Sequence, residues 1–189
     1  AEAVAAATGG GGGLKAQLLG HSVERLFRVG PGSVAALPGQ AEVIGRDPAT
    51  TIRFLELGLL HGLPLDAASW EAVRAEAAAG SSAAGERDST EPALPSPAAV
   101  SAFLRLLTPP ASARIQWQTG LADLLHRLHE AGLLERFIPG FAHARDLPQF
   151  NNYHKYTIDE HSILTLGRCL ALAAGDDWLG QVWQRLTRP

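Results

Sequence analysis

Between Gln149 and Leu166 the chain reads QFNNYHKYTIDEHSILTL, its densest run of side chains capable of chemistry. Two of the seven histidines, His154 and His161, fall there with both tyrosines and the acidic pair Asp159–Glu160. A neutral imidazole held on rigid backbone can ligate a metal if other ligands converge on it. His161 is the candidate ligand, because Thr157 marks a helix start and places His161 in the first turn. One histidine is not a site. From the residues alone its more usual reading is a side chain that packs or faces solvent, and a catalytic metal needs about three protein ligands.

The remaining histidines add little. His154 precedes the helix, so it need not share a face with His161, and His143 lies farther back in an irregular segment. A metal hydrolase complete within these residues would need His143, His154 and His161 to converge. His126 and His129, at i and i+3, share one side of a helix with no third ligand evident, which reads as a solvated face. His21 and His61 have no evident partners, and His61 suits the negative end of its helix. Cys169 is mid-helix without an obvious base and reads as core rather than nucleophile.

The elements that must position these residues read as helices. Thr157-Ile158-Asp159-Glu160 has the form of a capping box, the Thr hydroxyl accepting from the third N–H onward and Glu160 reaching back to the Thr157 N–H. Ile163, Leu164, Leu166 and Leu170 continue that helix to Gly175, and a last helix from Asp176 or Asp177 carries Trp178, Val182, Trp183 and Leu186. Upstream, Asp47-Pro48 opens a helix closed by Gly62, and a second from about Asp66 fades at Ala77–Gly80, forming an antiparallel hairpin. Ser96-Pro97 opens another helix, ended by Thr108-Pro109-Pro110. The next runs from about Ser112 to Ala131 with Leu121, Leu124, Leu125 and Leu128 as its stripe. Leu133–Ile138 is a short helical turn that Pro139-Gly140 breaks, and residues 141–156 are irregular.

The first part of the chain is harder to read. Residues 14–30 are loosely helical with a strand around Arg25–Val29 as the competitor, while Val34–Leu37 and Glu42–Ile44 are short extended pieces. Residues 1–13, with five consecutive glycines, read as a disordered leader, and 80–97 as an exposed, mobile loop. The expected fold is all-α, an irregular helical bundle with long flexible loops.

Composition sets limits. The 189 residues are enough for one domain and leave room for a small helical appendage. A formal charge of -3 gives no case for nucleic acid or an anionic membrane. One cysteine excludes an internal disulfide, and no apolar run reaches the roughly 20 residues that span a bilayer. A chain that starts at Ala1 and contains no methionine reads as a piece of a longer protein. There is no GxxxxGK[ST], GxGxxG or GxSxG motif, no His-Asp dipeptide, and no Gly-Ser pair with spaced carboxylates for two-metal nucleotidyl transfer.

The segment YHKYTIDEH, Tyr153 to His161, resembles bacterial PII-protein uridylyltransferase/uridylyl-removing enzymes. AGLLERFIPGF, Ala131 to Phe141, is similar to that family's Gly-x-Leu-x-x-x-Ile-Pro-Glu-Phe run, with Gly140 where Glu is usual. RDPATTIRFLELGLLHGLPL, Arg46 to Leu65, resembles the helix opening its helical region; together the matches span about residues 25–189.

The resemblance implies a helical domain over 14–140 and the truncated start of an HD-type phosphohydrolase domain over 141–189. It also implies a nucleotidyltransferase domain before them and glutamine-sensing domains after. His161 would correspond to the first metal-binding histidine of the HD site, with the His-Asp pair and later Asp beyond Pro189. The implied cofactor is a divalent metal in the intact protein, none being expected on this chain. The implied partners are a PII-type signalling protein and UTP/UMP, without nucleic acid or membrane, in the cytoplasm. This chain alone would lack both active sites. The competing expectation is a stand-alone helical interaction module, whose Trp-bearing last helix offers an apolar patch.

Overall fold

The computed structural model describes residues 20–85, 95–108, 114–148 and 155–186. The expected leader, residues 86–94 of the expected loop, and His154 lie outside them. The architecture is mostly helical, with nine helices among the described residues, but it is not purely α. A small antiparallel sheet is present, β1 (His21–Val23), β2 (Phe27–Val29) and β3 (Val34–Ala36), in that order. Val23 pairs with Phe27, and Val29 with Val34.

The β1–β2 turn explains why the hairpin was hard to read. Glu24 and Arg25 both take left-handed backbone, φ 53° and 56°, and Leu26 N–H donates to Val23 O at 3.2 Å. That is a type I′ turn made without the usual Gly or Asn. Its stability comes from burial of Phe27 and Val29 on the helices.

Helix α1 (Ala41–Arg46) replaces the extended piece expected at Glu42–Ile44. It buries Ile44 and leaves Val43 exposed, a contrast that so short a stretch offers equally to a strand or a helix. Arg46 and Glu42 pair at i, i+4. Gly45 permits close packing on the hairpin's second helix, since a Cβ there would lie 2.5 Å from Val73 O. Helix α2 (Pro48–His61) begins as its sequence dictates, the Asp47 carboxylate accepting from the Ala49 and Thr50 N–H groups. Gly62 ends it at φ 61°, donating to Leu59 O while Leu63 N–H reaches Gly58 O.

Helix α3 (Ala67–Gly85) does not fade at Ala77–Gly80, so residues 80–85 are helix rather than loop. The alanines before and after Gly80-Ser81-Ser82 supply propensity that offsets them. Helix α4 (Pro97–Leu107) is capped by Ser96 Oγ, which accepts from Ala99 N–H at 3.1 Å. Helix α5 (Arg114–Glu130) and the single turn α6 (Leu134–Phe137) follow. Pro139-Gly140 does not only break structure: α7 (Gly140–Ala144) starts there, in a segment expected to be irregular. Proline's fixed φ and missing N–H suit a helix entry. Helices α8 (Ile158–Ala174) and α9 (Trp178–Leu186) complete the chain's described elements.

The core joins the sheet to α1–α6. Phe27 stacks on Phe54 with centroids 5.7 Å apart, and Trp117 Nε1 donates to Leu106 O at 2.5 Å. Helix α8 packs along α5 and brings in Ile163, and α9 packs on α8. No helix among the described residues is long and apolar enough to cross a membrane.

Candidate functional site: a buried polar cluster at the start of helix α8

His129 ends the buried stripe of α5, four residues after Leu125 and one after Leu128. It is 9% exposed, so the expected solvated face is wrong for this residue. His126, one turn earlier, does face solvent and lies 3.5 Å from Glu130. Asp159 is the fourth residue before buried Ile163, which turns it inward, and it is 2% exposed.

The two buried residues meet. His129 Nε2 lies 2.8 Å from Asp159 Oδ2, which also accepts from Asp146 N–H at 3.1 Å. His129 Nδ1 lies 2.8 Å from Glu135 Oε1 and 3.3 Å from Arg145 Nη2. Nδ1 can therefore donate to the carboxylate or accept from the guanidinium, and donation from Nε2 to Asp159 is compatible with both. Arg145 donates to His129 O at 2.5 Å, a last-turn carbonyl of α5 that also accepts from Gly132 N–H at 2.9 Å, and its guanidinium also pairs with Glu135. Phe141 lies edge-on to the His129 ring.

Burial disfavours the charged form of Asp159. The Thr157 hydroxyl, the Asp146 and Glu160 N–H groups and His129 favour it more, and they hold the carboxyl well below the usual carboxylate range. Asp159 Oδ1 and Glu135 Oε2 are buried without a hydrogen bond of regular geometry. The expected capping box is not formed. Thr157 is the N-cap residue, but its side chain makes no capping bond; its hydroxyl instead helps to hold the Asp159 carboxyl low.

The cluster is not a metal cage. Its two carboxylates sit at opposite nitrogens of one ring, so a single ion cannot take both with the imidazole. Among the described residues no three His, Cys, Asp or Glu side chains form a metal-binding group. His161 is exposed one turn into α8, its N–H donating to Thr157 O at 2.9 Å. Its exposure and rigid backbone suit a metal ligand, but the described residues supply no set around it. His143 is exposed on α7, and Cys169 is half-buried on α8. His21 and His61, which the sequence left without partners, face each other edge-on with centroids 6.2 Å apart. Burial, His21 and Arg53 lower the His61 pKa, in that order.

Spacing held the clue to the missed residues. His129 falls on the period of Leu121 and Leu125, and Asp159 on that of Ile163. Glu135 and Arg145 carried no periodic mark. No protein-family model matches the chain, and no solved structure does either.

Proposed function

We propose that the chain is the helical region and the opening of the HD-type phosphohydrolase domain of a PII-protein uridylyltransferase/uridylyl-removing enzyme. The observation that carries this is the Tyr153–His161 segment, YHKYTIDEH. An exposed His161, on a helix whose start is held by a buried carboxylate, is compatible with it. In the intact enzyme a divalent metal would supply activated water for hydrolysis of the phosphodiester between UMP and a partner tyrosine. His161 would be one ligand. This chain by itself carries out neither uridylyl transfer nor removal, and the intact protein acts in the cytoplasm on a PII-type signalling protein.

A second reading, a helical interaction module without catalysis, is favoured by α9. Its Trp178 and Leu186 are 72% and 79% exposed, beside exposed Leu179, Val182 and Trp183. The flanking reading frame separates the two. A His-Asp pair within a few tens of residues downstream is expected for the enzyme, and a stop codon directly after Pro189 would favour the module.

A further inference from the structure

On the reading that His161 is a metal ligand, we infer that His129 is its positioning residue, acting through Asp159. A ligand must be held to within about half an ångström, whereas the first turn of a helix frays unless something ties it down. The usual tie is absent here, because Thr157 makes no side-chain cap. The turn is tied instead by Ile158 N–H donating to Leu147 O at 3.1 Å and, through a side chain, by the anchoring of Asp159 from His129 Nε2 and Asp146 N–H.

Asp159 and His161 are two residues apart, hence about 200° apart around the helix axis. One side of the turn is fastened inside the protein while the other presents His161 outward. The anchor is itself rigid. His129 lies in the packed last turn of α5, Arg145 holds its carbonyl at 2.5 Å, and Glu135 Oε1 lies 2.8 Å from its Nδ1. The His129 ring thus transmits the position of α5 to the turn that carries His161.

The test is nuclear magnetic resonance on the chain, with three variants. His129→Leu removes the donor, His129→Gln restores one, and Asp159→Asn keeps shape without charge. The His129→Leu variant is expected to drop backbone amide order parameters over Ile158–Ser162 from about 0.85 to below about 0.6. It should also broaden the His161 ring resonances and leave those of His21 and His61 unchanged. His129→Gln should restore the order. Asp159→Asn should loosen the same amides, and it carries the test if His129→Leu does not fold.

Wild-type order in His129→Leu or in Asp159→Asn would overturn the positioning role. So would equal loosening at His21 and His61, which is what general destabilisation produces. The ligand assignment fails separately, if His161→Ala leaves the metal content of the full reading-frame protein unchanged.

Discussion

His129 Nε2 lies 2.8 Å from Asp159 Oδ2, joining two buried side chains thirty residues apart in sequence. The contact ties the first turn of α8 to the last turn of α5, along which α8 packs. It also sets the cost of losing either partner, since a buried charge left alone is expensive. His129→Leu is expected to destabilise the chain by about 3 kcal/mol. Urea denaturation, with an unchanged slope, is the measurement.

Stability should depend on acid through the same pair. The folded state holds the Asp159 carboxyl below its unfolded value, so it binds fewer protons than the unfolded chain there. The contribution is complete at neutral pH and is lost as pH falls below about 4. Asp159→Asn should flatten the acid limb of the stability curve. Denaturation midpoints between neutral and acidic pH check this.

Two helix starts that look alike should respond differently. Asp47→Ala removes the carboxylate that accepts from Ala49 and Thr50 N–H, at a cost of about 1 kcal/mol. Thr157→Ala removes no cap; it is expected to raise the Asp159 pKa, and Thr157→Ser to restore it. Carboxyl resonances followed through an acid titration distinguish the cases.

Gly45 tests the α1–α3 contact. Gly45→Ala places a methyl 2.5 Å from Val73 O and 2.6 Å from Glu76 Cβ. The expected loss is about 1–3 kcal/mol, from overpacking against backbone that cannot yield. Thermal unfolding provides the value.

Much of the helical framework was legible because its boundaries rest on local chemistry. Asp47-Pro48, Ser96-Pro97 and Gly62 fix their ends through backbone groups a few residues away. The first hairpin was not, since Glu24 and Arg25 adopt left-handed backbone that only the burial of Phe27 and Val29 makes worthwhile. The polar cluster was half legible. His129 and Asp159 sit on apolar periods, but His129 read with His126 as a solvated face, and Asp159 read as part of a capped helix start. Glu135 and Arg145 reach His129 across a tertiary contact that no spacing announces. His161, the residue the sequence singled out, remains exposed and outside the cluster, held in place by a neighbour two residues earlier.

The central claim is tested most directly by expressing the full reading frame and measuring UMP release from a uridylylated PII-type protein with a divalent metal. The expected result is metal-dependent release that His161→Ala slows by at least about 100-fold, with the fold intact. Absence of release from the wild-type protein, or release unchanged by His161→Ala, would contradict it.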